Sequence, residues 1–268
     1  MQREDYEEPE CLLNMEPEVR SIPIGRILEK LDRYLNAKNY DGAERLLENW
    51  RKEADAGHNM RGKLAVLNEE IGLFRKTGKK ADCLRVIGET LAITEELGLS
   101  ETVTGATAYV NAATGYKAFN MADRAVPLYE KAREIYGKAL DAGDSRIPAL
   151  YNNMALAHAD LGNFREADAL YKKALDAAEK NGHMQAECAV TYLNMADLAA
   201  MRFGEEEAEA SIREYLDRAE ALLDSKDIPR DDSYAFICEK CAPVFDYYGY
   251  FFTKEKLEER AREIYEGP

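Results

Sequence analysis

Three asparagines have the most regular spacing of any chemically capable residues in the chain. Asn111, Asn153 and Asn194 lie 42 (153 − 111) and 41 (194 − 153) residues apart. Their surroundings repeat with them: Tyr109-Val110-Asn111-Ala112-Ala113, Tyr151-Asn152-Asn153-Met154-Ala155 and Tyr192-Leu193-Asn194-Met195-Ala196. An amide side chain both donates and accepts hydrogen bonds. Self-similarity at such a period marks a stack of helical repeats, so the three amides occupy equivalent places. Two uses stay open for them: bonding a neighbouring helix or loop, or facing a ligand.

Other reactive residues form no recognisable chemistry. His58, His158 and His183 make no metal-ligand spacing with cysteine or carboxylate. His58 and His183 fall in turns, and His158 takes an aromatic position, where it is expected to pack in the core. Cys238-Glu239-Lys240-Cys241 is a lone C-x-x-C on an expected helix, without the second ligand pair a zinc site needs. Cys83 is expected to be buried. Glu205-Glu206-Glu207 belongs to a charge run. No Gly-rich phosphate loop, G-x-S-x-G or H-E-x-x-H occurs. No catalytic residue, metal site or cofactor is therefore assigned.

Charge narrows the partners. Lys plus Arg is 36 against 51 Asp plus Glu, a net −15, which disfavours nucleic acid and anionic membrane. Five irregularly spaced cysteines are no disulfide framework. The acidic start is no signal peptide, and no apolar run is long enough to span a membrane. A cytoplasmic protein is expected.

Helices must position the asparagines. Residues 1–20 are acidic, carry Pro9 and Pro17, and read as a flexible tail; 21–268 read as one domain. Ser21-Ile22-Pro23 has the form of a capped helix start. Ile24, Ile27, Leu28, Leu31 and Leu35 then share a helical face. Stripes broken at Asn36–Asn39, Thr77-Gly78, Leu161-Gly162-Asn163 and Asn181-Gly182 give about six helix pairs, near 23–56, 60–97, 101–140, 145–180, 184–224 and 231–266. Asp232-Ser233 are capping candidates for the last pair. About four extra residues, one helical turn, sit near Phe203–Glu207.

Tyr109, Ala112, Ala113 and Tyr116 recur as Tyr151, Met154, Ala155 and His158 in first helices. Ala125, Tyr129 and Ala132 recur as Ala167, Tyr171 and Ala174 in second helices. This pattern resembles the tetratricopeptide repeat, and the long period resembles its kinesin-light-chain type. The resemblance covers roughly residues 24 to 266. It lacks the family's terminal proline in the third and fourth repeats, and Leu47 and Ile87 replace the second-helix aromatic earlier.

The resemblance implies an all-α fold, a right-handed α-solenoid of antiparallel pairs. It further implies a concave groove lined by the first helix of each pair, into which Asn111, Asn153 and Asn194 point as readers of an extended peptide's backbone. Asn152, Lys117, Asp160, Asp197, Asn68 and Arg75 are further groove candidates in the same register, and Lys240 falls in the row in the sixth pair. The family's clamp for a C-terminal carboxylate is not reproduced. The expected function is a protein-interaction scaffold binding a protein or peptide partner. The alternatives are a peptide-sensing regulator of the bacterial repeat type, and a small-molecule binder or enzyme using the groove. Phe245–Phe252 is expected to seal the end of the array, with self-association through this aromatic stretch as its alternative.

Overall fold

The computed structural model describes residues 19–181 and 184–267. Most of the expected tail (residues 1–18), Cys11, Gly182 and His183 lie outside the described residues. These fall into two compact units, one ending at Gly98 and one starting at Leu99. The described residues form twelve α-helices in six pairs, with no strand.

The first unit holds α1 (Ile24–Asn36), α2 (Tyr40–Ala56), α3 (Met60–Lys76) and α4 (Lys80–Glu96). Each packs on the next. Ile27, Leu31, Ala43, Leu47, Val66 and Leu73 form the core between the first three. Ser21 does not cap α1: Pro23 is the N-cap residue, with no side-chain bond. The chain before α1 is held elsewhere. The Arg20 amide donates to the Gly57 carbonyl at 3.0 Å, and Asn59 Nδ2 donates to the Arg20 carbonyl at 2.8 Å. Asn59 Oδ1 also accepts from the Gly62 amide at 2.7 Å, capping α3. One side chain thus satisfies a helix end and anchors the segment that enters α1. Asn59→Ala is expected to lower the stability of this unit by about 1–2 kcal/mol, read as a lower urea midpoint at constant slope.

The second unit holds α5 (Val103–Ala118), α6 (Ala122–Ala139), α7 (Arg146–Asp160), α8 (Phe164–Asn181), α9 (Gln185–Phe203), α10 (Glu205–Leu223), α11 (Asp232–Tyr247) and α12 (Phe251–Glu266). Within each pair the helices pack together, and α5, α7, α9 and α11 also touch in succession. Small residues make these crossings close: Ala113, Ala125, Ala132, Ala155, Ala167 and Ala174 are all at most 1% exposed. Tyr129 and Tyr171 fill the space beside them, equally buried. Small side chains let backbones approach, and large rings restore packing density.

Every turn inside a pair contains one residue of positive φ, among them Gly162 (φ 75) and Gly204 (φ 88). Gly204 is the whole connection between α9 and α10. The extra residues near it are not looped out, because both helices have grown to 19 residues. Asp231, not Asp232 or Ser233, caps α11, accepting from the Tyr234 amide at 3.0 Å.

Candidate functional site

The contacts α7–α9 and α9–α11 place three first helices side by side. Between them runs a groove of about 570 Å³. Asn152, Asn153 and Leu156 line it from α7, Glu187, Val190, Thr191 and Asn194 from α9, and Asp232, Phe236, Ile237 and Lys240 from α11.

The helical register orders this lining into rows. Asn153, Asn194 and Lys240 form one; Ala149, Val190 and Phe236 form another, four residues earlier on each helix and so one turn away. The second row is apolar, and Phe236 is 57% exposed. Glu187 and Asp232 lie towards the N-terminal ends of their helices, so the groove runs from acidic through apolar to amide and cationic.

Asn153 sits beside Met154 and Ala155, which are buried, and Asn194 beside Met195 and Ala196, likewise buried. Both asparagines are half-buried themselves. Packing therefore holds their backbone rigid while the amide stands at the groove surface. Among the described residues neither amide hydrogen-bonds another side chain or the main chain.

The other candidates are engaged. Asn152 Nδ2 donates to Thr191 Oγ1 at 2.8 Å, whose hydroxyl donates to the Glu187 carbonyl at 3.1 Å. Asn152 therefore staples α7 to α9, and its Oδ1 is buried without a hydrogen-bond partner among the described residues. Lys117 of α5 and Asp160 of α7 pair with each other at 3.4 Å. Asp197 accepts from the Tyr248 hydroxyl at 2.9 Å; burial raises its carboxyl's pKa, against the lowering by that bond. Asn111 occupies the equivalent place on α5, half-buried and outside the groove lining.

In the first unit, Asn68 donates to the Leu64 carbonyl of its own helix at 3.0 Å. Arg75 is exposed in the last turn of α3. Lys76 lies over the Tyr40 ring, 5.8 Å from its centre.

His158 departs from its expected place in the core. It is half-buried beside Asn163, with the two side-chain nitrogens 3.5 Å apart, because the α7–α8 turn leaves its ring at the surface. Cys83, Cys238 and Cys241 are buried, and burial pushes the Cys241 thiol up to about 12. No cluster of metal-ligating side chains occurs among the described residues. Val190 and Phe236 were not singled out from sequence. Their offset from Ala149 by 41 and 87 residues, parallel to that of the asparagine row, was the available signal.

Residues 146–221, spanning α7 to α10, match the tetratricopeptide repeat family model. BtubC (BKLC) from P. vanneervenii has a similar structure at 19% identity, covering 91% of each chain with a TM-score of 0.54. RapI in its apo form is similar at 16% identity, covering 96% of this chain and 88% of its own, with a TM-score of 0.61. A Podosopora anserina protein, described as a kinesin light chain with nearly identical TPR-like repeats, is 19% identical. That match covers 75% of this chain and 94% of the other, with a TM-score of 0.52. No curated protein sequence matches the chain. Residues 146–221 carry tetratricopeptide repeats, and the fold is that of such repeat proteins: all-α, in stacked antiparallel pairs.

Proposed function

We propose that the chain is a protein-interaction scaffold and that the α7–α9–α11 groove binds an extended segment of a partner. The repeat architecture supports the scaffold; such repeats are generally non-enzymatic, and no catalytic residue is assigned. One observation carries the groove reading: Asn153 and Asn194 stand at equivalent places in a single groove and, among the described residues, have no hydrogen-bond partner, whereas Asn152, Lys117, Asp160 and Asp197 are engaged. Two such amides can donate to and accept from the main chain of an extended segment without reading its side chains. The apolar row of Ala149, Val190 and Phe236 adjoins them and offers contact area for alternate side chains.

The test uses linear peptides selected from a random display library on the intact chain. Rebinding is then measured to Asn153→Ala/Asn194→Ala and to Phe236→Ser. Losing two amide contacts at about 1 kcal/mol each is expected to weaken binding about ten- to a hundredfold, with the thermal midpoint unchanged. Peptides that bind the double variant as well as the original would remove the groove from the account.

A further inference from the structure

Nine large apolar side chains are exposed among the described residues. Five of them, Met201, Phe203, Tyr247, Phe251 and Phe252, lie at two turns of the second unit, 54–90% exposed. Met201 and Phe203 close α9; Tyr247 closes α11; Phe251 and Phe252 open α12. The two turns are adjacent, because the Tyr247 hydroxyl donates to Glu205, the first residue of α10, and the Tyr248 hydroxyl donates to Asp197 of α9.

Apart from Tyr247, which bonds Glu205 and meets the Tyr248 ring edge-on, these side chains lie outside the buried residues that seat their helices. α12 is seated by Thr253, Leu257 and Ala261, all buried, while Phe252, 90% exposed, stands clear of them. α9 is seated near this end by Leu198 and Ala196. Exposed large apolar side chains gathered at two adjacent turns mark a contact surface.

The surrounding charge selects the occupant. Glu205, Glu206 and Glu207 make up the first turn of α10, and Asp246 and Glu255 flank the rings in sequence. Among the described residues neither Glu206 nor Glu207 is ion-paired. A pocket of about 280 Å³ opens beside the rings, lined by Glu205, Glu206, Glu209, Arg213, Ile212, Leu216, Tyr248 and Tyr250. Arg213 is paired with Glu209 at 2.9 Å and Glu205 accepts from Tyr247, which leaves Glu206 as its carboxylate without a partner among the described residues. Carboxylates beside aromatic rings suit an ammonium or guanidinium group on an alkyl stem. A second copy of the chain would set the same carboxylates against each other, and an anionic lipid surface would be repelled.

We infer that this edge, built on the α9–α10 and α11–α12 turns, is a second docking surface, for a partner segment that is both apolar and basic. The apolar side chains of the partner cover Phe251 and Phe252, and a Lys or Arg enters the pocket at Glu206; Phe203 already carries the Arg202 guanidinium over its ring, 4.5 Å from the centre. The surface lies at the opposite ends of α9 and α11 from Glu187 and Asp232 and does not depend on the groove.

Three capped, fluorescently labelled peptides test it on the intact chain by anisotropy: Leu and Lys in amphipathic alternation, the same peptide with Ser for Leu, and the same with Glu for Lys. The Leu–Lys peptide is expected to bind about tenfold or more tightly than either control, equivalent to about 1.4 kcal/mol. Phe251→Ser/Phe252→Ser should bring it down to the Ser–Lys level with the thermal midpoint unchanged, and Glu206→Lys should weaken it independently. Equal binding of the Leu–Lys and Ser–Lys peptides, or equal binding by the double variant, overturns the proposal. So does a dimer in sedimentation that the double variant converts to monomer, or binding to phosphatidylserine vesicles that the double variant abolishes.

Discussion

Phe245→Ala is expected to destabilise the second unit by about 3–5 kcal/mol, the range for removing a fully buried aromatic ring. Phe245 is 0% exposed and belongs to a core that includes Leu216, Cys241, Ala242 and Leu257. Its ring centre lies 5.9 Å from that of Tyr250. The ring bridges α11 and α12 to the helices before them, and no neighbour can refill its volume without breaking helix packing. In a repeat array each pair is stabilised mainly by its neighbours. The loss should therefore concentrate in the last pair, with amide exchange quickening in α11 and α12 before it does in α7 and α8. Urea unfolding gives the total, and a change under about 1 kcal/mol would contradict the packing described.

Glu70→Gln is expected to remove a pH dependence from the first unit. Glu70 is 3% exposed on α3, and its nearest cation is Arg51, with Nη1 at 3.4 Å. Burial pushes its carboxyl up to about 7; Arg51 and Arg85 pull it down, while Glu89 and Glu48 add to the rise. The Arg51 contact is too long to offset burial. Because the folded value lies above the unfolded one, the protonated form favours folding. That contribution is complete below about pH 4.5 and is lost as pH rises through about 7. A rise from 4.5 to about 7 corresponds to about 3 kcal/mol at 1.36 kcal/mol per unit. Between pH 5 and 8 the original chain should lose stability relative to Glu70→Gln, and the two curves should separate most at the alkaline end. Parallel curves would show that Glu70 titrates as an ordinary surface carboxylate.

The fold was legible because its signals are local. Ala167, Tyr171 and Ala174 lie on one helical face and are buried together, as Ala125, Tyr129 and Ala132 are. Gly162 sits where the chain needs a positive φ. The extra turn near Gly204 was visible as an offset, but only packing decides whether such residues loop out or lengthen helices, and here they lengthen both.

The groove was legible only in part. Register places Asn152, Lys117 and Asp197 on the first helices, but each is engaged by a residue one repeat or so away: Thr191 at 39 residues, Asp160 at 43 (160 − 117) and Tyr248 at 51. Periodicity says which residues face the next helix; it does not say which of them meet a complementary partner there. Asn153 and Asn194 differ in that neither hydrogen-bonds another group among the described residues, although the groove they line also holds Lys240 and Thr191.

The most direct measurement is of the asparagine side-chain amide resonances during titration with a library-selected peptide. The account predicts that the NH₂ signals of Asn153 and Asn194 shift and slow in exchange with solvent, while that of Asn152, already donating to Thr191, stays in place. Binding that leaves both signals unmoved and shifts only residues outside the α7–α9–α11 groove would contradict it.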